Sequence, residues 1–181
     1  MNYALLYEFK DTNDDGVPEA IISRYNNGFA PELKPDVVVT AHANPRNGKF
    51  EKVEGVDDVE GDDDIDEDDE SYYTLAADLA NALVTLSSMS ESRLYKCILV
   101  SFGSNSKNAA LPDVDIKLFK KLNSAMTAPD SIVTVTGYDK GLYKDVVNAT
   151  DADSDGDVDL EDKLIYRRIG NSFASMKDFK A

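Results

Sequence analysis

Tryptophan is absent from this chain, and cysteine and histidine occur once each, as Cys97 and His42. A single cysteine excludes an intrachain disulfide. One histidine with one cysteine also leaves too few nitrogen and sulfur donors for a zinc site. No window reaches the run of about 18 apolar residues that a membrane-spanning helix needs. Met1–Phe9 is too short and lacks the basic start of a secretory signal. There is no G-x-G-x-x-G, no P-loop and no G-x-S-x-G. Positive charge is scarce: 19 Lys and Arg stand against 35 Asp and Glu, for a net charge of -16. A field of that sign repels phosphate backbones and anionic membranes, which excludes direct nucleic-acid binding. It leaves open only an acidic nucleic-acid mimic that fills a basic partner's groove.

What is abundant is aspartate, 25 residues against 10 glutamates. Short carboxylates suit loops that ligate cations or face solvent. At 181 residues the chain suits one domain spanning 1–181, because a chain of this length buries roughly 70% of its unfolded surface. Apolar runs predict strands at Tyr3–Phe9, Ala20–Tyr25, Pro35–Ala41, Lys49–Glu54, Tyr95–Phe102 and Ser131–Thr136. Helical spacing predicts a helix capped by Ser71, with Leu75, Leu79, Ala82, Leu83 and Leu86 inward. It predicts others over Asp113–Met126 (Ile116, Phe119, Leu122 and Met126 inward), Leu142–Val147 and Leu160–Phe173. Strands alternating with helices after residue 35 indicate an α/β fold, a mostly parallel sheet flanked by helices as a three-layer sandwich. An N-terminal strand–loop–strand precedes it, and α+β is the alternative. No repeat is read beyond two acidic loops.

The more complete of those loops is D-A-D-S-D-G-D-V-D-L-E-D at 151–162. Asp151, Asp153, Asp155, Asp159 and Asp162 fall at positions 1, 3, 5, 9 and 12 of an EF-hand calcium loop. Gly156 falls at position 6, where the chain turns sharply around the ion, and Asp157 at position 7, which offers a backbone carbonyl. The amphipathic L-E-D-K-L-I-Y-R-R-I follows. This stretch resembles the dockerin type of calcium-binding repeat, which closes its loop with Asp and continues into a basic, aliphatic helix. No adjacent second copy is present, so cohesin-type recognition is not implied.

The second candidate is D-T-N-D-D-G-V-P-E. Asp11, Asn13, Asp15 and Glu19 occupy positions 1, 3, 5 and 9, Gly16 occupies 6, and Val17 would lend its carbonyl. Position 12 is the apolar Ile22, so the loop resembles the shorter strand–loop–strand calcium sites of integrin-like repeats, closed at position 9. A third acidic stretch, 57–70, holds eleven acids in fourteen positions. It reads as a solvated acidic loop spanning 55–70, and Asp62, Asp64 and Asp66 in it have no glycine at position 6.

A longer resemblance runs through the D-x-N-x-D-G-x-P-E loop, V-V-V-T-A-H, L-A-A-D-L-A-N-A-L and S-F-G-S. That order is similar to the caspase–haemoglobinase fold of cysteine peptidases. It would make His42 the general base and put Ser101 at the nucleophile position. Ser in place of Cys, and Ala43 where the family has Gly, imply an inactive homologue. The function expected is therefore a calcium-binding structural or interaction protein whose fold Ca²⁺ stabilises, extracellular or on a cell or particle surface. Its partners would be calcium ions and another protein or a second copy.

Overall fold

The computed structural model describes residues 3–54, 58–59, 63–87, 95–103, 111–121, 126, 128–153 and 155–176. Eight strands make one sheet: β1 (Ala4–Lys10), β2 (Glu19–Tyr25), β3 (Val37–Ala43), β4 (Phe50–Glu54), β5 (Cys97–Phe102), β6 (Val114–Phe119), β7 (Ser131–Thr136) and β8 (Asp145–Val147). Helix α1 (Glu67–Ser87) lies between β4 and β5 in the chain, and α2 (Leu160–Ser175) follows β8. The strand order is β4-β3-β2-β1-β5-β6-β7-β8, and every neighbouring pair is antiparallel. This overturns the mostly parallel, three-layer α/β expectation. Parallel neighbours need a long crossover for each pair. Among the described residues only α1 crosses, carrying the chain from the β4 edge back to the centre, where β5 enters antiparallel to β1.

Two predicted helices are also corrected. In Val114–Phe119 the residues Val114, Ile116 and Leu118 alternate with Asp115 and Lys117, the period of a strand. The rival helical spacing of Ile116 and Phe119 dissolves because they face opposite sides of the sheet. Leu122 lies outside the described residues. Leu142 closes a turn against Asp139, and β8 replaces the expected helix at 142–147. Ser71 does not cap α1; it sits within its first turns, and its hydroxyl donates to the Glu67 carbonyl at 2.9 Å.

Both helices pack on one face of the sheet, over a core that includes Tyr3, Leu5, Tyr7, Ile22, Val100, Ile116 and Val133. Burying each such side chain contributes about 1.5–3 kcal/mol. Phe173 of α2 sits against Tyr3 and Phe102, with ring centroids 5.1 and 4.9 Å away. A Cβ on Gly170 would come within 2.9 Å of Val135, so this glycine lets α2 lie flush on β7. The opposite face carries a smaller cluster of Ala4, Leu6, Tyr25, Cys97, Leu99 and Phe119.

The sheet also reveals an internal duplication that extends beyond the acidic loops. Each half runs four strands outward from the centre and returns through a helix. The β1–β5 seam pairs Ala4 with Ser101 and Glu8 with Cys97, so shifting Ala4 to Cys97 and Glu8 to Ser101 regenerates the same seam. Leu6 pairs with Leu99 on the pseudo-twofold axis. Hydrogen bonds recur between the halves. Asp36 N–H donates to the Arg24 carbonyl, and Asp130 N–H to the Leu118 carbonyl, both at 2.8 Å. Asn26 and Lys120 N–H donate to Asp36 and Asp130 Oδ2, both at 2.7 Å. At the two edges, Asn81 of α1 takes the Phe50 N–H and Asn171 of α2 takes the Tyr143 N–H, both at 2.8 Å.

Candidate metal centre

Asp151, Asp153 and Asp155 each offer an oxygen, and the three lie within 4.8 Å of one another. The loop is wound by its own side chains. Asp155 N–H donates to Asp153 Oδ1 at 3.2 Å, and Asp157 N–H to Asp155 Oδ1 at 3.1 Å. Gly156 takes φ 108°, a value that penalises any side chain. Asp162 is 1% exposed and closes the ring. Its Oδ1 accepts from Ala152 N–H and, at 3.4 Å, from Asp153 N–H, while its Oδ2 accepts from Asp159 N–H at 2.7 Å. Asp159 reciprocates as the N-cap of α2, taking the Glu161 N–H at 2.7 Å. The closing carboxylate thus braces the backbone from behind, and the first three acids converge in front. Convergence holds the Asp157 carboxyl above its ordinary range, through Asp155 first, then desolvation and Asp159.

That direction has a consequence for stability. A folded-state carboxyl held above its unfolded value means that the fold binds more protons, so stability falls as pH rises through that window. Asp157→Asn removes the charge while keeping the position-7 carbonyl. The metal-free variant is expected to melt above the parent at about pH 7 and to match it near about pH 3, where carboxylates are protonated. Melting curves in chelator read this directly; a variant melting below the parent at neutral pH contradicts it.

The N-terminal loop follows the same winding. Asp15 N–H donates to Asn13 Oδ1 at 3.0 Å, Val17 N–H to Asp15 Oδ1 at 2.8 Å, and Gly16 N–H to Asp11 Oδ2 at 2.9 Å. Glu19, 3% exposed, accepts from Thr12 N–H at 2.7 Å and from its hydroxyl at 2.6 Å. The Asn13 amide donates to both Glu19 and Asp15, at 3.0 and 3.2 Å. Asp11, Asp15 and Glu19 are not gathered as the Asp151 group is: that trio is the only such acidic or His/Cys group among the described residues.

The duplication exposes, among the described residues of the 57–70 run, a third loop that shares hydrogen bonds of this design. Displaced by 93 residues from Asp162 and Ala152 stand Asp69 and Val59. Asp69, 1% exposed, accepts from Val59 N–H at 2.6 Å and from Asp66 N–H at 3.0 Å; Asp66 in turn caps Asp68 N–H at 2.8 Å. Asp63 stands where Gly156 does, at φ 73°, and its N–H donates to Asp58 Oδ2 at 2.7 Å. Val59, 2% exposed, pins the run, while Asp63, Asp64, Asp66, Glu67, Asp68 and Glu70 are exposed; Asp62 lies outside the described residues. The shared pattern D-x-x-x-D-x-D-[I/V]-D-x-x-D was the available signal. Thus Glu19, Asp69 and Asp162 each take the N–H of the second loop residue.

His42 and Ser101 are not brought together. Three strand spacings of about 4.8 Å separate β3 from β5, and the two residues lie toward opposite ends of the sheet. His42 Nδ1 lies 3.8 Å from Glu19, and the equivalent pair in the other half is Thr136 donating to Asp113 at 2.7 Å. Cys97 is buried, and burial pushes its thiol up to about 12, which removes the thiolate a nucleophile needs. No described helix is long and apolar enough to cross a membrane. No family model, curated protein or solved structure matches the chain.

Proposed function

We propose that this chain is a calcium-binding structural or interaction module whose helix α2 is clamped to the sheet by an ion in the 151–162 loop. The observation that carries the reading is the convergence of Asp151, Asp153 and Asp155 within 4.8 Å. Three carboxylates at that spacing repel one another, and a divalent cation with an all-oxygen preference relieves the repulsion. The EF-hand register and the likeness to dockerin loops favour Ca²⁺ over Mg²⁺, which demands a tighter octahedron. Asp closes the loop where a sensor places a bidentate Glu, so the affinity expected is micromolar to millimolar, suited to calcium-rich surroundings outside cells or on a surface. The Asp11–Glu19 loop, wound by the same side-chain hydrogen bonds, belongs to the same reading as a second site.

Binding to the folded state alone stabilises it by RT ln(1 + [Ca²⁺]/Kd), about 2.7 kcal/mol at a hundredfold excess. For a chain of this size that raises the melting temperature by about 5–10 °C. Calorimetric titration with Ca²⁺, joined to melting curves with and without chelator, tests this and counts the occupied loops. Asp153→Asn with Asp155→Asn is expected to abolish the 151–162 component. Equal melting temperatures in Ca²⁺ and chelator would remove the basis of the reading.

A further inference from the structure

The duplication supplies an internal control for the outer surface of α2. Leu160 and Leu164 are 65% and 50% exposed. Leu160 and Leu164 are four residues apart, so they lie together on the helix face turned away from the buried Tyr166, Ile169 and Phe173. The twin positions in α1, displaced by 93 residues, are Glu67 and Ser71, both exposed and polar. The fold therefore places no demand for leucine there. Two leucines kept in water by one helix, with polar residues at the same sites in its twin, call for a partner outside the chain.

Charge along the same stripe identifies that partner. Glu161 stands one residue after Leu160, and Arg168 one turn beyond Leu164 on the flank that borders the groove with Thr74 and Asp78 of α1, both exposed. Neither has an opposite charge three or four residues away on its own helix: Glu161 is followed by Leu164 and Ile165, and Arg168 is flanked by those and by Asn171 and Ser172. Acid, leucine and base in that order make the stripe self-complementary under a twofold rotation. We infer that α2 is a homodimer interface. Two copies pack their α2 helices antiparallel about an axis beside Leu164, Leu164 of each against Leu164 of the other, Leu160 flanking the contact beside the other copy's Arg168, and Glu161 facing Arg168 across the axis twice. A twofold contact of this kind is isologous, so each residue is used twice. The contact is small, and the net charge of -16 on each copy opposes it, so association is weak and is strengthened as salt screens that repulsion.

Sedimentation equilibrium of the whole chain at about 0.15 M salt, in Ca²⁺ and again in chelator, tests the interface separately from the metal site. Concentration-dependent dimerisation is expected in Ca²⁺ whether or not the calorimetric titration finds an ion. Leu160→Glu with Leu164→Glu, both on exposed positions, is expected to give a monomer with an unchanged melting temperature. Glu161→Arg alone, or Arg168→Glu alone, replaces two attractive pairs by two repulsive ones and is expected to weaken the dimer about fivefold or more. An equimolar mixture of those two single variants restores both attractive pairs and is expected to form a heterodimer at the parental strength. A monomer at all concentrations, a dimer indifferent to the leucine substitutions, or a mixture no stronger than its components would each overturn the assignment.

Discussion

Asp162→Ala is expected to destabilise the fold by about 2–4 kcal/mol with or without calcium. The carboxylate is 1% exposed and accepts backbone N–H groups from Ala152, Asp153 and Asp159. Ala152 is itself buried, so its N–H would be stranded away from water, and such an orphan costs about 1–3 kcal/mol alone. Loss of the reciprocal cap on α2 adds about 1 kcal/mol. The melting temperature should fall by about 5–15 °C in chelator as well as in Ca²⁺. Asp162→Asn is not a gentle control, because its amide nitrogen would turn N–H toward N–H at one side. Asp153→Asn and Asp155→Asn behave differently: they should remove the calcium-dependent part of the melt and, by relieving the same repulsion as Asp157→Asn, should not lower the melting temperature in chelator. If Asp162→Ala melts with the parent in chelator, the buried carboxylate is not what closes the loop.

Arg24→Leu is expected to cost about 2–4 kcal/mol, an effect as large as that of Asp162→Ala. Arg24 is fully buried, and its guanidinium carbon lies 5.6 Å from the Tyr3 ring centre and 5.2 Å from that of Tyr72. Its Nη1 donates to the Val59 carbonyl at 3.1 Å, and its Nε to Asn26 Oδ1 at 2.8 Å. The guanidinium therefore ties β2 to the segment that leads into α1. Leucine fits sterically, since Leu118 fills the twin position with no exposure. The cost arises because the polar atoms around Arg24 lose their donor. Arg24→Lys should recover little, as an ammonium cannot lie flat between two rings and reach both acceptors. Urea melts measure the loss; a Leu variant as stable as the parent would show that the surroundings repack without the charge.

How far the sequence disclosed this molecule depends on the period each segment carries. Helix α2 was legible because Asp159 and Asp162 announce a capped start and Tyr166, Ile169 and Phe173 keep a single face. The strands around Leu5, Ile22 and Val39 were legible as short apolar runs. Val114–Phe119 was not, because six residues satisfy a period of 2 and of 3.6 equally well. Strand direction was illegible for a different reason: alternating apolar runs state which face is buried and say nothing of who lies beside whom. The Asp151 loop was legible as a list of oxygens, but the role of Asp162 was not, since motif spacing cannot tell a carboxylate facing inward from one bracing the backbone. The Asp69 loop was hidden by Asp63, which occupies φ 73° without the glycine that marks its twin. Pro18 and Pro112, and the Pro35-Asp36 and Pro129-Asp130 pairs, mark the duplication once the sheet aligns them.

The seam at Leu6 and Leu99 is a twofold contact in which both halves belong to one chain. In an assembly of identical subunits every substitution is made twice, and whatever one side gains the other must tolerate. A covalent link lifts that constraint, because each half mutates alone while the effective concentration of its mate stays fixed. The results of that freedom are on opposite sides of the seam. One half holds Arg24 between Tyr3 and Tyr72 where the other has Leu118, Lys96 and Ile165, and the other holds Gly156 where the first makes do with Asp63. The two halves differ accordingly, the buried cation belonging to one and the sharper acidic turn to the other.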